Sequence, residues 1–285
     1  MGNEFSVLML VYAGDKPEYF DAALRSILSQ TLPPAEIVLV VDGPVPDGTE
    51  AVLRRAQEEL ASSAVDFRVV RSGKNLGCGG AKRLGFEMCR YPLIAMMDAD
   101  DLSVPDRFEK QIRFYAEHPE VSAAGGWITE FVSGSDPTDI SAGTGTRRVP
   151  ETDAQIREYI KKRCPMNHVT VMVKKQDIIA AGGYRDDYYW NEDYDLWIRL
   201  AIAGRKFGNL PCNLVNVRVG QEMYQRRGGM KYFKSEAGLQ KVMFRNGIIS
   251  LPRYLINVGE RLVLQVLMPA KLRGWVFKKF AREPS

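Results

Sequence analysis

Four short apolar runs dominate the first hundred residues: FSVLMLVY, AEIVLVVD, VDFRVVR and LIAMMD. Between them lie three stretches with the period of a helix: PEYFDAALRSILSQ, TEAVLRRAQEELAS and GAKRLGFEMC. The first of these carries a proline near its start and places Phe20, Leu24, Ile27 and Leu28 on one face. The apolar runs are continuous rather than alternating, so their strands need cover on both faces. Helices alternating with such strands supply it, which predicts a mostly parallel central sheet flanked by helices, an α/β fold of Rossmann-like type. Ligands of such sheets bind beyond the carboxyl ends of the strands. Asp42, Arg71 and Asp98 each end a predicted strand, so they are expected along one rim.

The later sequence is less regular. VSAAGGWITEFV reads as a further strand, and SGSDPTDISAGTGTRRVP, rich in Gly, Ser and Thr, as a long loop. ETDAQIREYIKKR reads as a helix capped by Thr152, and NHVTVMVKKQDIIAAGGY as a strand, a short helix and a glycine stop. NEDYDLWIRLAIAG reads as a helix with Leu196, Leu200 and Ile202 inward and Gly204 at its end. KYFKSEAGLQKVMFRNG is another helix. At 285 residues, 45% hydrophobic and 26% charged, the chain can bury a substantial core. A formal charge of +4 is too small to imply a nucleic-acid partner. Cys78, Cys89, Cys164 and Cys212 form no CxxC pair and fit free thiols in a reducing compartment. The opening MGNEFSVLMLVYAG has no basic leader, and no run of about 18 apolar residues follows. A cytoplasmic location is the expectation.

Three segments carry candidate chemistry. In MMDADDLSVPDRF, Asp98, Asp100 and Asp101 crowd together behind a buried strand. Like charges this close repel unless a cation joins them, and hard carboxylates suit Mg²⁺ or Mn²⁺. The competing reading is an acidic helix cap, with Asp101 or Ser103 before Pro105. In RSGKNLGCGGAKRLG, Gly77, Gly79 and Gly80 open a helix after a basic strand end and could present backbone N–H groups to an anion; a tight turn would look the same, and the pattern is no Walker loop. In YYWNEDYDLWIRL, Glu192 and Asp193 start a helix beside aromatics that suit a sugar. A carboxylate beside a hydroxyl acceptor can serve as a general base; capping is the alternative. His168 stands at a strand entrance, as a structural histidine or a ligand contact. YQRRGG offers Arg226 and Arg227 as a basic flap or a solvated loop.

These motifs, in this order, resemble the GT-A-fold family 2 glycosyltransferases, especially bacterial enzymes of O-antigen and capsule biosynthesis. The resemblance runs from Phe5 to Arg227 and rests on VLMLVYAGDKPEYFDAALRSILSQTLPPAEIVLVVDGP, NLGCGGAKRLG, MMDADD, GGY and NEDYDLWIRL. It implies a catalytic domain over residues 1–228, with a nucleotide-binding half (1–130) and an acceptor half (131–228). It implies that Val11, Tyr12, Asp42, Arg71, Lys74, Asn75, Gly77, Asp98, Ala99 and Asp100 line the nucleotide-sugar site. Asp98 and Asp100 would be the DxD pair that holds Mn²⁺ or Mg²⁺ on the diphosphate. Asp193 would be the base and Glu192 its orienting neighbour. Trp127, His168, Gly183, Tyr184, Arg226 and Arg227 would face acceptor or diphosphate. The reaction implied is inverting transfer of a hexose from a UDP-sugar, with UDP-galactose and a β-1,3 linkage as the closest likeness. The acceptor implied is an undecaprenyl-diphosphate-linked saccharide or an oligosaccharide.

Two positions depart from the family pattern. VYAGD replaces P-x-Y-N after the first strand, and AKR replaces ARN at Ala81, Lys82 and Arg83. A metal-dependent nucleotidyltransferase is the alternative enzyme class, and a non-catalytic sugar-binding homologue the alternative outside catalysis. Residues 229–285 read as a basic amphipathic helical extension. From Arg253 to Arg282 it carries seven Lys or Arg against one Glu, interleaved with Leu, Val, Trp and Phe. Such a segment is expected either to lie on a membrane surface, at the inner face of the cell membrane, or to pack on the domain.

Overall fold

The computed structural model describes residues 4–134, 136–220 and 228–268; Arg226, Arg227 and the last part of the basic extension lie outside these. The expected alternation opens the fold: β1 (Ser6–Tyr12), α1 (Pro17–Leu28), β2 (Glu36–Asp42), α2 (Asp47–Leu60), β3 (Asp66–Ser72), α3 (Gly77–Met88) and β4 (Leu93–Asp98). There follow β5 (Leu102–Ser103), α4 (Arg107–Glu117), β6 (Val121–Phe131), β7 (Gly143–Arg147) and α5 (Asp153–Tyr159). A 3₁₀ turn (His168–Thr170) leads to β8 (Met172–Lys174), α6 (Lys175–Ala180), α7 (Glu192–Ile202), β9 (Lys206–Arg218), α8 (Met230–Arg245) and α9 (Leu251–Leu262). The sheet order is β3-β2-β1-β4-β8-β6-β9-β5, with β7 paired to β6. Strands β3, β2, β1 and β4 are parallel; β8 then runs antiparallel to both β4 and β6.

The pleat sorts each strand's side chains onto two faces. Val7, Met9 and Val11, Ile37, Leu39 and Val41, and Leu93, Ala95 and Met97 join one core with α1 and α2. Leu8, Val38, Val40, Ile94 and Met96 join the other, with Phe86 of α3 and Leu196, Trp197 and Leu200 of α7. Side chains this fully buried contribute about 1.5–3 kcal/mol each, so Leu8→Ala would cost about 2–5 kcal/mol. The same parity continues past the apolar residues. Asp42 follows Val38 and Val40, and Asp98 follows Ile94 and Met96, so both carboxylates fall on the α3 and α7 face.

Helix α3 sits unusually low on that face. A Cβ at Gly85 would lie 2.3 Å from Leu8 Cδ1 and 2.6 Å from Val40 Cγ2. On its outer side, a Cβ at Gly79 would lie 2.3 Å from Asp186 Oδ1 and 2.7 Å from Arg185 O. The helix is therefore held between the sheet and the loop that leads into α7. Close approach accounts for these glycines.

The second half departs from the expectation in three places. The long loop contains β7, an edge strand of Gly and Thr that no apolar alternation announces; it pairs antiparallel with β6. Strand β9, in KFGNLPCNLVNVR, runs parallel to β6, with Leu210 opposite Gly126 and Asn213 opposite Trp127, so Pro211 and Cys212 bulge out of register. Proline in mid-run hides a strand of this kind. Ile202, expected inward, is exposed at the last turn of α7. The expected cap of α5 is present as a full capping box between Thr152 and Gln155. Helices α8 and α9 pack onto the body: Leu239, Met243 and Ile249 enter the second core, and the Asn257 amide and Arg261 guanidinium donate to the carbonyls of Lys161 and Lys162.

Candidate active site

Strand register sets the rim. Tyr12, Asp42 and Ser72 are level across β1, β2 and β3, and Asp98 is level with Leu10. Arg71 pairs with Val41 and so takes the opposite face, where its guanidinium grips Glu50 of α2 at 2.7 and 2.8 Å. The hydroxyl level with Asp42 belongs to Ser72, whose Oγ is 3.1 Å from Asp42 Oδ1 and 2.8 Å from the Lys74 carbonyl. Asp42 accepts the Leu76 N–H at 2.7 Å and the Gly77 N–H at 3.1 Å. This buried carboxylate clasps the turn that starts α3, and Gly77 takes φ +75° to make that turn. Lys74 and Asn75 lie exposed over it. Tyr12, beyond buried Val11, donates its N–H to Asp15 Oδ2 at 2.9 Å, so the departing Asp15 holds the turn after β1.

The three carboxylates of the acidic turn differ in exposure. Asp98 is reachable by solvent and Asp100 half-buried, with Ala99 buried between them. Desolvation raises the pKa of Asp98; the Lys82 ammonium opposes that, and Glu192 adds to it. Buried Arg107 also favours its charged form from below, while donating to the Met96 carbonyl at 2.8 Å. Asp101 is turned inward. Its Oδ1 accepts the Arg218 N–H at 2.8 Å, and Arg218 Nε donates to the Asp100 carbonyl at 2.8 Å. The Arg218 guanidinium stacks over Tyr19 and Phe131, at 3.8 and 4.8 Å from the ring centres. Burial pushes Asp101 well above the ordinary aspartate value, and Asp100 and Asp98 add to that.

Among the described residues no group of three His, Cys, Asp or Glu gathers to enclose a metal. Asp98 and Asp100 instead form a partial set of hard oxygen donors at an open rim. That set fits Mg²⁺ or Mn²⁺, which keep several positions for water and substrate phosphate oxygens.

Glu192 and Asp193 occupy the first turn of α7, where the helix dipole favours negative charge. Their surroundings separate them. Glu192 is 8% exposed and receives Lys82 Nζ at 2.8 Å. Burial opposes its ionisation, but the Lys82 charge and hydrogen bond outweigh burial and bring its pKa down to about 2. Asp193 is half-buried; its Oδ1 accepts the Tyr194 N–H at 2.7 Å, and Cys164 Sγ lies 3.6 Å from Oδ2. Burial, with Glu192 adding, raises its pKa. The two neighbouring carboxylates are therefore shifted in opposite directions.

His168 Nε2 is 3.1 Å from the Tyr184 hydroxyl. Burial, with Lys82 adding, pushes its imidazole well below the ordinary value, so His168 is neutral at pH 7. Tyr184 is buried beside Phe86 and 5.9 Å from Lys82 Nζ. It follows the left-handed turn at Gly182 and Gly183, whose carbonyl at 183 accepts from Arg199 at 2.7 Å. Trp127, on β6, lies under the Arg148 guanidinium at 4.8 Å. Arg226 and Arg227 lie outside the described residues. Sequence reasoning passed over Ser72 and Arg218, and marked Lys82 only as a departure from the family pattern, without a partner. A signal for Lys82 was available: it shares a helix face with Gly79, Gly85 and Phe86, all of which are buried.

The model of the family described as "Glycosyl transferase family 2" matches residues 6–177. The amylovoran biosynthesis glycosyltransferase AmsE of Erwinia amylovora is 36% identical over 96% of this chain and 98% of its own. The UDP-Gal:alpha-D-GlcNAc-diphosphoundecaprenol beta-1,3-galactosyltransferase of Escherichia coli is 33% identical over 98% of this chain and 97% of its own. Among solved structures, the mannosyltransferase PcManGT of Pyrobaculum calidifontis, in complex with GDP-Man and Mn²⁺, superposes with a TM-score of 0.64. It covers 98% of this chain and 76% of that one at 16% identity, a likeness of fold.

Proposed function

The chain belongs to glycosyl transferase family 2, and from that premise we propose an inverting transfer of galactose from UDP-galactose to a saccharide on a lipid diphosphate. The observation that carries the reading is the contrast between two acidic pairs on one face of the sheet. Asp98 and Asp100 lie at an open strand end, suited to a donor's metal-bound diphosphate. Asp193 lies at a helix start with its pKa raised by burial, suited to taking a proton. A divalent cation on Asp98 and Asp100 would supply positive charge for the departing diphosphate. Asp193 accepts the proton of the acceptor hydroxyl as that oxygen bonds to the anomeric carbon. The bond from that carbon to the diphosphate breaks on the opposite side, and its electron pair leaves with UDP. A single displacement of this kind converts an α-linked donor into a β-linked product.

The choice of sugar and acceptor follows the Escherichia coli relative, whose name specifies UDP-Gal and a GlcNAc-diphosphoundecaprenol. A membrane-bound acceptor also suits the outer face of α9. Leu251, Leu255, Ile256 and Leu262 are exposed there, and Val263 and Leu267 continue the apolar surface past its end. Among the described residues no helix is long and apolar enough to cross a membrane. Peripheral binding through this surface and the basic residues after it is the proposed mode.

The test is a transfer screen with UDP-Gal, UDP-Glc, UDP-GlcNAc and UDP-GalNAc on GlcNAc-diphosphate lipid, with the product linkage read by NMR. A β-galactoside formed in preference to the other three products supports the reading. Preference for another donor, or an α-linked product, overturns it.

A further inference from the structure

We propose that Lys82 is a positioning residue that holds Glu192 as a permanently ion-paired carboxylate, leaving Asp193 as the group of the pair free to take the acceptor's proton. The inference rests on the glycosyltransferase reading above and assigns a task to a residue at which the family pattern is broken.

Lys82 is 5% exposed, and few lysines are buried so fully without a dedicated partner. Its Nζ crosses from α3, in the nucleotide half, to Glu192 Oε1 on α7, in the acceptor half, 110 residues later in the chain. The low seat of α3 makes this reach possible: Gly85 lets the helix touch Leu8 and Val40, and Gly79 admits the loop before α7. Tyr184 lies beside the ammonium, 5.9 Å from ring centre to Nζ.

The consequence for the reaction is electrostatic. Two adjacent ionised carboxylates at low dielectric raise each other's proton affinity, so an unpaired Glu192 would compete with Asp193 for the same proton. With the Lys82 charge on Glu192, that competition is removed. Lys82 also bridges the halves, so the base and the rim carboxylates keep a fixed relation. An ammonium aimed at the donor diphosphate would be a different device, and the two make opposite predictions.

They are separated by a double-mutant cycle with K82M, E192Q and K82M/E192Q in the full chain, reading UDP affinity by calorimetry, kcat in the transfer assay and thermal unfolding. If Lys82 acts through Glu192, K82M lowers kcat about a hundredfold or more in the wild-type background. In the E192Q background the same change costs only about threefold, because the charge it serves is gone. UDP affinity, read without metal so that the Lys82 charge near Asp98 does not enter, stays within about threefold throughout. K82R, which keeps the charge, retains more kcat than K82M. Each single neutralisation strands a buried charge and lowers the unfolding temperature, whereas the double variant recovers most of the loss. Equal kcat losses in both backgrounds, or a large loss of UDP affinity in K82M, would overturn the proposal. If the wild-type protein transfers no sugar, the functional reading fails by itself; the unfolding cycle still tests the ion pair, and additive losses there would refute it.

Discussion

The two acidic pairs of this molecule are chemically alike and structurally opposite. Asp98 and Asp100 stand at the end of a buried strand, Asp98 exposed and Asp100 half-buried on the rim, with Asp101 turned inward to Arg218. Glu192 and Asp193 stand at the start of a buried helix, one gripped by Lys82 and the other held by a backbone amide beside a thiol. A rim pair of hard oxygens suits a cation and phosphates, while a crowded pair in which one member is ion-paired suits proton transfer.

The largest effect expected from breaking the comparison is at the rim. D98N/D100N should abolish metal-dependent strengthening of UDP binding and lower kcat/KM about a thousandfold or more, measured by calorimetry with and without Mn²⁺ and by transfer assay. Persistence of a metal effect would remove these residues from the donor site. Next comes pH. Because burial and Glu192 raise Asp193, the acidic limb of kcat should lie above the ordinary aspartate range. E192Q removes one negative neighbour, so that limb should move to lower pH; a shift to higher pH would contradict the assignment.

Smaller effects concern stability. Asp101 is raised in the folded state, so its contribution is greatest below the ordinary aspartate value and declines as pH rises toward the folded value. Glu192 has the opposite sign: lowered to about 2, it contributes fully above the ordinary glutamate value and loses that contribution as pH falls toward 2. D101N keeps an oxygen for the Arg218 N–H, so urea unfolding at pH 7 should change by no more than about 1 kcal/mol. Its stability should fall less steeply between pH 4 and 7 than that of the wild type, at conditions of about equal ionic strength. The smallest expected effect on catalysis is that of truncation after Met268. It should reduce pelleting with anionic vesicles while leaving transfer to a soluble acceptor within about twofold.

How much of this was legible before the structure depends on the physics of each segment. Strands β1 to β4 and their helices were readable because burial on both faces forces continuous apolar runs. Asp42 and Asp98 were readable as rim residues for the same reason. The pleat also contained a warning about Arg71: it shares the parity of Val41, so it belongs to the α2 face, and Glu50 meets it there. Strand β7 carries no apolar alternation, and β9 is broken by the bulge at Pro211, so period alone could not find either. The partner of Lys82 was hidden for another reason. It lies 110 positions away, and only the packing of α3 against the loop before α7 brings the two together.

On the proposed reading, donor binding and proton removal are divided between the two acidic pairs, and single-turnover transfer by D193N separates the two tasks. With UDP-galactose and Mn²⁺ saturating, the variant should bind donor as the wild type does and transfer sugar about 10²–10⁴-fold more slowly. Transfer at the wild-type rate, or loss of donor binding equal to the loss of transfer, would contradict it.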